Sequence, residues 1–198
     1  SGQFTLPWGI GYYQLLTVHG VLLGLILTTY FIFGFQIAAV SRTSGTLTDK
    51  QRTLGWIGFW TMTTGTTAAA VMVLLNEASV LYTFYAPLQA HWIFYVGMAL
   101  VVVGSWIGGA GLIMKYMEWR KANPKQPSPL LSFMVIVNLA MWIICSLGVA
   151  VEVVFQLIPW SLGWVDKVDV LLSRTLFWYF GHPLVYFWLL PAYMVWYV

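Results

Sequence analysis

The chain has 198 residues, 60% of them hydrophobic and only 8% charged, with a mean hydropathy of +0.80 and a formal net charge of +3. A soluble domain carries about 25% charged residues, so the excess apolar surface requires lipid as its solvent, and a water-soluble domain is excluded. The few positive charges lie between apolar runs, where they report topology rather than a nucleic-acid footprint.

A membrane-spanning helix needs about 20 mostly apolar residues. Taken in chain order, segments 11–40, 54–75, 91–114, 130–158 and 174–198 qualify. Their connections are short, no soluble domain interrupts them, and no convincing internal repeat is visible. Residues 1–198 therefore read as one partial transmembrane domain, an all-α polytopic bundle with five spans in view. No charged n-region precedes the first apolar run. The sequence opens abruptly at Ser1 and stops at Val198 within an apolar segment, which is the expectation for a piece of something longer. The lone Cys145 can form no internal disulfide.

Orientation follows from the positive-inside rule. Arg42, Lys50 and Arg52 lie between spans one and two, and Lys115, Arg120, Lys121 and Lys125 between three and four. The connection between two and three has no Lys or Arg, and that between four and five has Lys167 with Asp166 and Asp169. The first and third connections are thus expected to be cytoplasmic, with spans one, three and five running from outside to inside. Trp8, Tyr12, Tyr13, Trp160 and Trp164 cluster at expected outer boundaries, as interfacial anchors do.

Ionisable side chains at lipid depth are costly and mark function more often than elsewhere. The spans hold His19, Glu152 and His182, with His91 at a span edge beside Trp92. His19 follows Gly11 by eight residues and His182 follows Arg174 by eight, so each lies about 12 Å below the outer boundary. Two neutral imidazoles at one level suit haem or copper ligation. Gly20 and Gly24 allow a flat macrocycle against the backbone, although plain helix packing is the simpler account of their spacing. His91 needs no cofactor at an interface. Glu152, flanked by Val151, Val153 and Val154, must be neutral or partnered; proton movement and a hydrogen-bonded acid both fit.

His182 and Tyr186, four apart, share one helix face, which runs back to Trp178 and on to Leu190, Tyr193 and Tyr197. Pro183 and Pro191 each remove a backbone donor, which is tolerated where protein or water satisfies the freed carbonyl. Two readings stand on spacing alone. One is a metal ligand followed by a polar track toward the cytoplasm; the other is a histidine hydrogen-bonded inside the bundle with tyrosines as packing. Arg174, at the mouth of the fifth span, suits a carboxylate such as a haem propionate or a snorkelling role. No Walker-type loop, CxxC pair or Ser/His/Asp arrangement is present, so no aqueous hydrolytic chemistry suggests itself.

The stretch from Thr175 to Pro191, with Gly181-His182-Pro183-Leu184-Val185-Tyr186 at its centre, resembles the sixth helix of subunit I of the haem–copper oxidases, and more narrowly of their B family. Tyr12-Tyr13-Gln14-Leu15-Leu16-Thr17-Val18-His19-Gly20 resembles the second helix of that subunit. The run from Asn76 to Leu88 resembles its third-to-fourth loop, with Ala86 where Pro is more usual. The likeness covers essentially the whole chain, as helices two to six of a bundle of at least twelve.

The resemblance implies that His19 is an axial ligand of the low-spin haem and that His182 is a ligand of copper B. It makes Tyr186 the tyrosine joined covalently to that histidine, supplying a proton and an electron for O–O cleavage. Tyr193 and Tyr197 fall on the proton path inward of Tyr186, Trp178 near the binuclear centre, and Arg174 near the haem. The implied cofactors are a low-spin haem, a high-spin haem and copper B. The implied reaction is reduction of O2 to water with coupled proton translocation. The implied partners are the lipid bilayer, oxidase subunit II and a cytochrome c-type electron donor, with no nucleic acid, in the plasma membrane of a prokaryote. The remaining metal ligands must come from outside this chain, since only His91 is left. The isolated 198-residue chain is therefore expected to consume no oxygen, and measured uptake would contradict this. A nitric-oxide reductase is the nearest alternative, but it usually carries an acidic residue where Tyr186 stands. A transport or structural membrane protein without haem is the alternative from another class.

Overall fold

The computed structural model describes residues 11–197, and Trp8 and Val198 lie outside the described residues. Five long helices make up the bundle: α1 Tyr12–Thr43, α2 Asp49–Leu74, α3 Trp92–Ala122, α4 Leu130–Ser161 and α5 Val170–Trp196. The first four combine the length and hydropathy needed to cross a membrane. The fifth has the length, 27 residues, while His182, its two prolines and its aromatic residues lower its hydropathy. It starts at Val170 rather than at Arg174, because Asp169 caps it, its Oδ1 accepting from Leu172 N at 3.0 Å. The helix runs unbroken through Pro183 and Pro191.

The tightest seam joins α2 and α3, which run antiparallel. Gly58 and Gly65 on α2 and Gly97, Gly104 and Gly111 on α3 are spaced by seven residues, two helical turns, so each set lies on one face. Gly58 meets Gly104, Gly65 meets Gly97, and Gly111 meets Gln51 backbone to backbone. A Cβ on Gly97 would sit 2.6 Å from the Gly65 carbonyl oxygen, and one on Gly104 2.7 Å from that of Gly58. With no hydrophobic effect between helices in lipid, such close backbone packing is the main source of association.

The second seam joins α4 and α5 through aromatic rings. Trp142 stacks on Phe187 with centroids 4.3 Å apart and meets Phe180 edge-on at 5.7 Å. Such pairs contribute about 0.5–1.5 kcal/mol each beyond area burial. At the opposite end of α1, Thr43 and Ser44 bond through their hydroxyls to Ser132 of α4.

The segment 77–91 between α2 and α3 is an ordered cap, not a slack connection. Leu81 N donates to Thr17 Oγ1 of α1 at 2.8 Å, Ala86 N to Ser173 Oγ of α5 at 3.2 Å, and Gln89 Nε2 to Trp160 O of α4 at 3.1 Å. Tyr82, Phe84 and Tyr85 all pack their rings against Phe177. Leu81 holds a left-handed φ of 65°, uncommon for a non-glycine residue, and its bond to Thr17 helps to keep it there. Replacing Thr17 with Val orphans a partly buried N–H, which costs about 1 kcal/mol. Amide exchange of 77–91 in T17V is expected to quicken relative to the helices; unchanged protection would show the bond to be dispensable.

Candidate functional site

α5 turns an apolar face into the bundle. Phe177, Phe180, Leu184 and Phe187 are all buried. Trp178, His182, Tyr186, Tyr193 and Tyr197 lie on the exposed side of the same helix. Among the described residues the His/Tyr face is therefore not core. Tyr186 Oη lies 3.4 Å from His182 Nε2, and the two rings are 5.3 Å apart at 72°. With Tyr186 at Nε2, Nδ1 is the ring nitrogen left for another partner. Tyr193 packs only edge-on against Trp196.

His19 is also exposed, and its local backbone departs from a plain α-helix. Residues Val18–Leu27 wind as a π-helix, a form that recurs at functional sites. The wider winding brings His19 and Gly24, five apart, round to one wall. A cavity of about 510 Å³ lies there, lined by His19, Gly20 and Gly24 of α1, Tyr82 of the cap, and Trp178 and Gly181 of α5 among others. Among the described residues the glycine pair does not join two helices. Gly20 gives room to Tyr82, whereas a Cβ on Gly24 would meet nothing nearer than the His19 carbonyl oxygen at 3.9 Å. Burial pushes the Tyr82 phenol above its ordinary pKa, so at neutral pH it stays protonated beside this cavity.

A second cavity of about 630 Å³ adjoins α4 and α5 and is lined by His182, Pro183, Trp178 and Tyr179 with Met141, Ile144 and Cys145. Trp178 lines both spaces and stands between them. Gly181, on the first wall, is the neighbour of His182 on the second. The two histidines therefore open onto different cavities that share one lining residue, Trp178.

The other candidate residues are placed as follows. Arg174 is exposed and makes no ion pair among the described residues. His91 is the N-cap of α3, its Nδ1 accepting from Ile93 N at 3.3 Å, so its role is structural. Glu152 is fully buried in α4, where Ser173 Oγ donates to its Oε1 at 2.6 Å. Among the described residues no cluster of three His, Cys, Asp or Glu could hold a metal ion.

The residues fit one ligand for each of two groups, not a full coordination set. An exposed imidazole beside a glycine-floored cavity suits a flat macrocycle, and the free Nδ1 of His182 suits a single copper. The π winding and the cap were not legible in the sequence, since both depend on contacts between distant segments. The glycine spacing was, in its seven-residue steps.

Helices of this length and apolarity, joined glycine to glycine, define a polytopic membrane protein with open, histidine-bearing cavities on its flank. Residues 3–198 match the family model described as Cytochrome C and Quinol oxidase polypeptide I, and the chain belongs to that family. Cytochrome c oxidase subunit 1 of Thermus thermophilus is 42% identical over 190 residues, covering 96% of this chain and 34% of that protein. A heme-copper terminal oxidase dimer solved by cryo-EM is 46% identical with a TM-score of 0.91, over 97% of this chain and 33% of the matched one. The chain thus spans about a third of the length of the relatives it matches.

Proposed function

We propose that this chain forms part of the catalytic subunit of a haem–copper terminal oxidase of the B family, reducing O2 to water with coupled proton translocation. The observation that carries the reading is the His182–Tyr186 pair on the outward face of α5, with His182 lining a cavity next to the one that His19 lines. His19 would hold the low-spin haem, with Gly24 leaving room for its face. His182 would bind copper B through Nδ1, beside a high-spin haem held by ligands from elsewhere in the subunit. These groups, when bound, supply the electron transfer and the activation of oxygen.

The protein's part is to position them and to handle protons. Tyr186 Oη, held at His182 Nε2, is the proton donor at the reacting site. Tyr193 and Tyr197 continue its face inward as the path by which that proton is replaced. Trp178 keeps the two cavities apart, and Arg174 would hold a haem propionate. The Lys/Arg bias puts the 77–91 cap on the outside and proton entry on the cytoplasmic side. Oxidase subunit II, a cytochrome c-type donor and a prokaryotic plasma membrane complete the setting.

Tyr186, in place of an acidic residue, favours O2 over nitric oxide as substrate. A reduced-minus-oxidised spectrum of the full-length protein with copper analysis tests the whole. Two haems and a copper with O2 uptake support it. Haem with a non-haem iron and no copper would support a nitric-oxide reductase instead, and absence of haem would indicate a transport or structural protein.

A further inference from the structure

Glu152 plays no part in the reading above, yet its surroundings are unusually specific. It is fully buried at 0% exposure, and the residues that follow it, Val153–Leu157, form a second π turn. The hydrogen bonds around it run in one direction. Ala86 N of the cap donates to Ser173 Oγ, so the Ser173 hydroxyl hydrogen is free, and it is donated to Glu152 Oε1 at 2.6 Å. Oε1 therefore acts as an acceptor only.

The other carboxyl oxygen, Oε2, is buried and has no partner. One turn further along α4, Gln156 Oε1 is likewise buried without a partner. Residues four apart on a helix are neighbours, with Cβ atoms about 5–6 Å apart, so two side chains of this length can share one bridging water. Among the described residues the only ion pair is Arg52 with Asp49, so no cation neutralises Glu152. A carboxylate with one protein hydrogen bond and no counter-charge among the described residues is very costly inside a bundle. The other titratable group buried at this end of α3, Tyr95, is occupied: its hydroxyl accepts from Ala90 N at 3.0 Å and faces Leu88 O at 3.5 Å.

The two unpartnered atoms are complementary if Oε2 bears a hydrogen and Gln156 Oε1 accepts. We propose that Glu152 and Gln156 form a buried site that holds one proton, on Glu152 Oε2, and one water bridging it to Gln156 Oε1. The site lies under the cap, one turn from the wall formed by Phe177 and Trp178, and is separate from the tyrosine face of α5. It ties three elements together: the π turn of α4, the start of α5 through Ser173, and the cap through Ala86.

The test is infrared spectroscopy of the full-length protein in H2O and D2O, which reads the carboxyl group directly and does not depend on turnover or haem content. Glu152→Gln is expected to lose a protonated carboxyl C=O band that is sensitive to D2O. Ser173→Ala removes a hydrogen bond to the carbonyl oxygen and is expected to shift that band upward. Gln156→Leu removes the acceptor for the bridging water and is expected to shift it upward as well. Loss of carboxylate bands in Glu152→Gln, or an unmoved C=O band in Ser173→Ala, would overturn the proton. An unmoved band in Gln156→Leu would overturn the water. If Glu152→Gln does not assemble, the two remaining variants still decide, since both keep the acid in place.

Discussion

Replacing Tyr186 with Phe in the full-length enzyme is expected to lower kcat for oxygen reduction by about 10²–10⁴-fold, the range for removing a positioned proton donor. The substitution deletes one oxygen atom from an exposed face and leaves the ring that packs at 72° against His182. Haem content and copper content should therefore stay at the wild-type level, and oxygen uptake under single-turnover conditions should fall. Because Oη lies 3.4 Å from His182 Nε2, the loss acts at the atom that faces the proposed metal ligand. Undiminished turnover in a metal-replete Y186F enzyme would remove Tyr186 from the mechanism. Loss of copper would instead give it a role in holding His182.

Gly97→Leu is expected to abolish assembly. A side chain there would meet the Gly65 carbonyl oxygen at 2.6 Å and Ala69 N at 2.9 Å, and neither backbone can yield without parting α2 from α3. Overpacking in an interior typically costs about 1–3 kcal/mol, and a seam that relies on close backbone approach has little room to absorb it. The full-length variant should be lost during purification or unfold at markedly lower temperature in detergent. Gly55→Ala is the matched control, since a Cβ at that position on α2 meets nothing within 4 Å, and it should be tolerated. Equal stability of the two variants would show that the glycine seam is not what joins these helices.

Much of this was legible in residues alone. Length and apolarity marked all five helices, and the His182–Tyr186 spacing placed those two side chains together because four residues is one helical turn. Depth reckoned from Arg174 was less secure, since Asp169 caps α5 a turn earlier. His19 and His182 open onto two spaces that share Trp178 as a lining residue. Of the two accounts of Gly20 and Gly24, helix packing finds no helix partner among the described residues: one gives room to Tyr82 and the other opens onto a cavity. Nothing local to those glycines distinguishes these outcomes, because the partner lies some sixty residues away.

The sequence by itself determined that the chain is a membrane bundle and which side chains are too polar for lipid. Helical periodicity and transfer cost are local properties, readable from composition and spacing. Tertiary structure alone decided which way α5 faces, that the His/Tyr row lies outside this bundle, and that Ser173 and Ala86 converge on Glu152. Those outcomes depend on which backbones approach most closely. That is settled by the glycine seam of α2 and α3, the ring stack of Trp142 on Phe187, and the cap bonded to Thr17, all contacts between residues far apart in the chain.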